Sequence, residues 1–196
     1  MTIFRSALVA FSLLVPSQAF AASADASADS SPEHGERASV FHIDVETDPT
    51  AFILSGYSLH VGLGYRRFRL DLGGYAMDIP GFVHGNDAFD VSFDGLGAKL
   101  QMFLFDEQEG AFVGVDSGLM RLEVERRDMN ASAAQTQVGV GAHVGWRIGL
   151  PAGFHATPWL GVGYVFGASD VVLGGETFEA APVTVFPAIH LGHRFQ

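Results

Sequence analysis

The chain has no cysteine and, among its 11 basic residues, a single lysine, Lys99. The first absence excludes a disulfide scaffold, a thiolate metal centre and a cysteine nucleophile. The second is unusual for a water-facing surface, which ordinarily mixes Lys with Glu. Charged residues make up only 17% and the formal net charge is −11, so the basic face that nucleic-acid binding needs is missing. Beyond the first segment, no apolar run approaches the roughly 18 residues of a transmembrane helix. What is abundant is glycine, at 24, and phenylalanine, at 17, in a chain of 196 residues that is 48% hydrophobic. That is too apolar for disorder and too short for two ordinary domains. High Gly, high Phe and almost no Lys together point to a solvent other than water.

The first 21 residues read as a secretory signal. Arg5 gives a positive n-region, Ala7 to Val15 an apolar core, Pro16 a break, and Ala19-Phe20-Ala21 a small-x-small cleavage site. Removing it leaves 10 basic and 22 acidic residues, a mature charge of −12. Residues 22–39 are rich in Ala and Ser without apolar periodicity and read as a flexible periplasmic leader. Residues 40–196 form the predicted domain.

There the dominant signal is alternation, the strand period. Val138, Val140, Ala142, Val144, Trp146 and Ile148 share one face, with Gly139, Gly141, His143, Gly145 and Arg147 on the other. The same pattern recurs in eight segments and predicts eight strands. The phase slips near Asp94-Gly95 and Met120-Arg121, which reads as bulges or as strand extension beyond a bilayer. Short connections are expected at Arg66-Arg67, Asp106–Gly110 and Gly149–Gly153, and long ones at Thr47–Ser55, Met77–Ala88, Arg126–Gln135 and Gly167–Ala181. Three short turns and four long loops suit a closed eight-stranded antiparallel up-and-down barrel, and the asymmetry in length suits a transmembrane one.

Composition decides which face is inside. The less apolar face is mostly Gly, His, Ala and Thr, which fits a narrow lumen better than a wet strand surface. Aromatic residues gather near the strand ends. Tyr65, Phe68, Phe105, Phe112, Trp146, Phe154 and Phe195 lie by the short turns, and Tyr57, Tyr75, Phe89, Phe93, Tyr164 and Phe166 by the long loops. They are expected to form two interfacial girdles.

This pattern resembles the small outer-membrane β-barrel superfamily that includes the OmpA transmembrane domain, OmpX and OmpW-like proteins. The ending His190-Leu191-Gly192-His193-Arg194-Phe195-Gln196 resembles the C-terminal signal read by the barrel-assembly machinery, with Phe195 as its aromatic. It departs from that signal in having Gln196 last and His193 within the outward apolar series. The resemblance implies a cell-envelope protein in the outer membrane of a Gram-negative bacterium, in contact with outer-membrane lipid and lipopolysaccharide. The lipid-A-modifying enzymes known among small barrels imply a deacylase or acyltransferase as an alternative.

The inward polar residues define the candidate site. Arg69, Arg147, His155 and Arg194 are expected low in the lumen. His60, Asp71, Lys99, Gln101, Asp116, His143, Trp159 and His190 are expected above them, and Asp44 and Glu46 near the top of the first strand. Opposite charges in so narrow a space should pair, because an unpaired buried charge is costly. The main reading is a structural polar plug with no cofactor or metal. His60, His143 and His190 as a metal or proton site, and Ser58, His60 and Asp71 as a nucleophile triad, are the chemical alternatives; neither has a local motif spacing. The glycines leave room for a narrow channel or carrier of a small apolar ligand. Asp78–His84 and Val171–Leu173 put apolar residues on long loops, where surface interaction is expected. The expected protein is a monomer without catalysis, with a structural or surface-interaction role.

Overall fold

The computed structural model describes residues 41–105 and 108–195; the predicted signal peptide and leader lie outside them. The elements are β1 (His42–Thr47), α1 (Pro49–Ile53), β2 (Tyr57–Tyr65), β3 (Phe68–Ile79), α2 (Gly81–His84), β4 (Phe89–Phe103), β5 (Gly110–Arg126), β6 (Ala131–Gly149), β7 (Phe154–Phe166), β8 (Val171–Leu173), β9 (Glu176–Phe178) and β10 (Val183–Phe195). β1 to β7 and β10 form a closed antiparallel barrel in chain order, with β1 pairing β10 to complete the ring. The fold is the all-β, eight-stranded up-and-down barrel expected from alternation.

The register fixes the stagger. Following partners round the ring from Asp44 through Gly62, Asp71, Lys99, Asp116, Gly141, Gly163 and Thr184, and extending the β10–β1 register past the end of β1, leads to position 54, ten residues beyond the start. Strands in such a barrel are tilted by about 35–45°, so register partners do not lie at the same height.

Strands β4 to β6 run without interruption past both predicted slips. Asp94 pairs with Arg121 and Leu96 with Leu119, in one continuous ladder. No bulge exists there; the chemistry of the two faces exchanges instead. Below this level the outward residues are Leu96, Leu100, Val115, Leu119, Val138 and Val140, all exposed. Above it, outward positions carry Asp90, Asp94, Arg121, Glu123 and Glu125, while the inward Phe89, Val91 and Val124 are buried. An outward surface that is apolar below a line and charged above it marks the boundary between hydrocarbon and water. The extended strands stand above that line, so their apolar side turns inward.

Three connections differ from expectation. The long loop expected at Arg126–Gln135 is a turn of residues 127–130, because both flanking strands extend. The last loop contains the β8–β9 hairpin, whose Val171 and Phe178 join Phe89, Val91 and Val124 in a small apolar core. Short helices α1 and α2 occupy the first two long loops. The lower aromatic ring is outward and exposed at Phe41, Tyr65, Phe68, Phe105, Trp146, Phe154 and Phe195, but Phe112 is buried against Phe103, with ring centroids 5.1 Å apart. The upper ring consists of Tyr57, Tyr164 and Phe166; Tyr75, Phe89 and Phe93 point inward. Parity along each strand explains these corrections: proximity to a strand end does not make an aromatic face lipid.

The polarity exchange makes a prediction. Val140→Arg, on the outward belt, is expected to cost about 2–4 kcal/mol near the bilayer midplane, whereas Glu125→Arg, outward but above the boundary, is expected to change little. Denaturant titration of both variants folded into lipid vesicles measures the contrast.

Candidate functional site in the barrel lumen

The inward side chains of the lower half form one ion-pair network. Arg69 donates through Nε to both Asp44 oxygens at 3.1 and 3.0 Å and approaches Glu46 at 3.2 Å and Asp71 at 3.0 Å. It also donates to Gln101 Oε1 at 2.9 Å. Arg147 reaches Glu46 at 2.5 Å and Asp44 at 3.4 Å. His155 and His190 contact the same Glu46 carboxylate at 2.8 and 3.0 Å. Asp71 accepts from His60 Nδ1 at 2.8 Å and lies 3.4 Å from Lys99 Nζ. Three cations, Arg69, Arg147 and Lys99, face three carboxylates, Asp44, Glu46 and Asp71. Such balance, with several hydrogen bonds to each carboxylate, is what makes buried charges tolerable.

Asp44 and Glu46 lie along the upper part of β1, as expected, but β1 itself sits low in the barrel. β1 has six residues and pairs with the lower part of β10, Leu191 to Phe195. The stagger then carries both acids down to the height of the two buried arginines. They are the hub of the network, yet the sequence placed them at its edge, because strand length and stagger are not visible in alternation. Their inward parity and sign were the available signal. Gly62 accommodates the hub: a Cβ there would fall within the Asp44–Arg69 ion pair.

Above the hub, His143 pairs with Asp116 at 2.9 Å, and Lys99 lies over the Trp159 ring at 5.1 Å. His60 and His190 have ring centroids 4.7 Å apart, but Trp159 stands between His190 and His143, at 5.7 and 5.5 Å. The three histidines are therefore not brought to one point. Asp44, Glu46 and His155 place ligand-type atoms within 4.8 Å of one another. Their carboxylates are already held by two guanidinium groups, which disfavours a cation there. In the proposed triad, His60 and Asp71 are in contact, while the buried Ser58 hydroxyl accepts from the Asp48 backbone N–H at 3.2 Å. Arg194 lies at the short-turn mouth, donating to the Gln108 carbonyl at 3.4 Å. Gln108 is fully buried and donates to the carbonyls of Arg66 and Phe68, both at 2.8 Å. Sequence reasoning missed it because a turn residue carries no strand parity.

The second feature is the crown over the long-loop end. Its apolar core joins β4, β5 and the β8–β9 hairpin. His84 of α2 packs against Phe178, with ring centroids 5.6 Å apart, and neither of its ring nitrogens has a hydrogen-bond partner. Burial first, and then the Arg127 charge, hold its pKa below the usual histidine value.

Two predictions follow from these contacts. Arg69→Met leaves three buried carboxylates short of a cation and is expected to cost about 3–5 kcal/mol; the double variant with Asp44→Asn should recover part of this, read by denaturant midpoints in vesicles. At His84 the neutral ring is the folded form. Its contribution to the crown is complete above the unfolded histidine pKa of about 6.5 and is lost as the pH falls through that value toward the lower folded one. Amide protection factors in Glu176–Phe178, which are corrected for the intrinsic pH dependence of exchange, should therefore fall at mildly acidic pH, and His84→Phe should remove that fall.

No family model and no curated protein matches the chain. Among solved structures it is similar to the crystal structure of Neisserial surface protein A (NspA), at 15% identity and a TM-score of 0.48, over 79% of this chain and 95% of that one. It is also similar to the N-terminal beta-barrel domain of Pseudomonas aeruginosa OprF, at 15% identity and a TM-score of 0.42, over 79% of this chain and 96% of that one.

Proposed function

We propose that the protein is an integral outer-membrane barrel with a closed lumen, acting in envelope structure or in surface interaction through its crown. The observation that carries this reading is the belt of exposed apolar residues ending at the Asp94–Arg121 level. Beneath the crown, the neutralised Arg–Asp–Glu network fills the cross-section of the lower barrel, and eight strands leave little space beyond what side chains fill. The crown supplies surfaces for contact: Phe82 is 71% exposed and Val172 65%. Export with cleavage of residues 1–21, delivery by the barrel-assembly machinery through Phe195, and a monomer in contact with lipopolysaccharide belong to the same reading. Phe195 is outward and exposed, as a lipid-facing terminal aromatic should be.

A carrier for a small apolar ligand is the second reading, favoured by the glycines above the Lys99–Trp159 level. For the closed lumen, the expected result in planar bilayers is insertion without unit conductance. Discrete conductance steps from the purified protein would replace the structural reading with a channel.

A further inference from the structure

The chain contains two asparagines, Asn86 and Asn130, and the structure treats them in opposite ways. Asn86 is built into the crown. Its side-chain N–H donates to the Thr177 carbonyl at 3.3 Å, and its side-chain oxygen accepts from the Ala88 N–H at 3.1 Å. Asp87-Ala88 follows it, so no hydroxyl stands two residues on. Asn130 lies within Asp128-Met129-Asn130-Ala131-Ser132. That is an Asn-x-Ser acceptor for N-glycosylation, with no proline between. The acid two residues before the acceptor, here Asp128, is the further feature that bacterial oligosaccharyltransferases select.

Position decides what such a motif can do. Residues 127–130 are the turn between β5 and β6, the two longest strands. From the Asp94–Arg121 level, β5 continues to Arg126, about 17 Å of strand at roughly 3.4 Å per residue. The turn therefore stands well out on the water side of the hydrocarbon boundary, where an attached glycan is fully hydrated.

The contacts of this turn leave Asn130 aside. Arg127 donates its N–H to the Ala88 carbonyl at 3.1 Å, and Met129 donates its own to the Arg126 carbonyl at 3.3 Å. The Arg126 guanidinium donates to Asp128 at 2.6 and 3.0 Å and to the Leu173 carbonyl at 3.2 Å, and lies 5.7 Å over the Phe89 ring. The Asn130 side-chain amide makes no hydrogen bond among the described residues, and Asp128, Asn130 and Ser132 are all exposed. A substituent on this amide displaces nothing that holds the crown together.

We propose that Asn130 is an N-glycan acceptor, modified by a periplasmic oligosaccharyltransferase from a polyprenyl-pyrophosphate-linked oligosaccharide. A bond forms between Asn130 Nδ2 and the anomeric carbon of the glycan. The bond from that carbon to the pyrophosphate oxygen breaks, its electron pair leaves with the pyrophosphate, and the amide gives up one proton. The step precedes closure of the barrel. Once folded, Ala131 and Ser132 are fixed in the ladder opposite Arg126 and Glu125, and Asp128 is held by Arg126. Folding then places the glycan at the end of the crown. The inference rests on the reading of the chain as exported to the outer membrane.

Two arms test it. In the first, the purified full-length chain is unfolded and diluted into detergent with a bacterial oligosaccharyltransferase and a synthetic lipid-linked oligosaccharide. It should gain the mass of one oligosaccharide, which peptide mass spectrometry should place on Asn130. Asn130→Gln, Ser132→Ala and Asp128→Ala should each abolish the adduct, and Asn86→Gln should leave it. No gain while a control acceptor peptide in the same tube is modified, or a gain that survives Asn130→Gln, would overturn the assignment. In the second, the chain is produced in cells that carry the transferase and its donor. The adduct is expected on protein that has lost residues 1–21 and is folded in the outer membrane. Processed protein without the adduct, or with it but unable to fold, would also overturn the proposal. Unprocessed and unmodified protein in cells, beside a modified chain in the tube, would break the export reading instead.

Discussion

Every backbone N–H and C=O that meets hydrocarbon needs a partner within the protein, and the rest of this structure follows from that constraint. A closed ladder meets it, since a ring of strands has no edge. Closure sets the stagger of ten residues, and the stagger sets which side chains share a height. Among the described residues the ladder is interrupted at the upper β1 position, where a short helix lies beside Pro187 of β10, and between β6 and β7, where Trp146 and Arg147 lack register partners at Pro158 and Thr157. The same constraint that makes the barrel thus identifies its weakest line.

The inside is governed by a different balance. The lumen is too narrow to hydrate its charges, so the acids and bases must neutralise one another. Three cations and three carboxylates do so around Asp44 and Glu46, with His60, His155 and His190 completing the carboxylate hydrogen bonds. Glycine at Gly62 makes room for one of these pairs. Higher up, glycines make room for the large inward side chains, with Tyr75 lying against Gly118 and Trp159 against Gly161. The two ends of the barrel are therefore filled differently, by paired charges below and by an apolar core under the crown.

The crown shows how solvent, rather than strand geometry, decides the direction of an apolar face. β4 and β5 keep one register along their whole length. Their outward residues change from Leu and Val to Asp, Glu and Arg as the surroundings change from lipid to water. The inward residues change in the opposite sense, because the β8–β9 hairpin covers them and makes a small water-excluding core.

Much of this was legible in the amino-acid sequence. The alternation of Val138 to Ile148 with Gly139 to Arg147 determined strand, face and barrel class, because side-chain direction in a strand has a period of two and lipid admits only apolar residues. Scarce lysine and abundant glycine and phenylalanine pointed to an apolar exterior, and the outward Leu96, Val115, Leu119 and Val144 are exposed. Heights in the lumen, the inward turn of Tyr75, Phe89 and Phe93, and the hub role of Asp44 and Glu46 were decided only by tertiary structure. Each depends on register, and register is a relation between strands that no single strand encodes. The gap above Thr47 belongs to the same class: it exists because a strand of six residues lies between strands of nine and thirteen, and only closure of the ring reveals what the missing length leaves open.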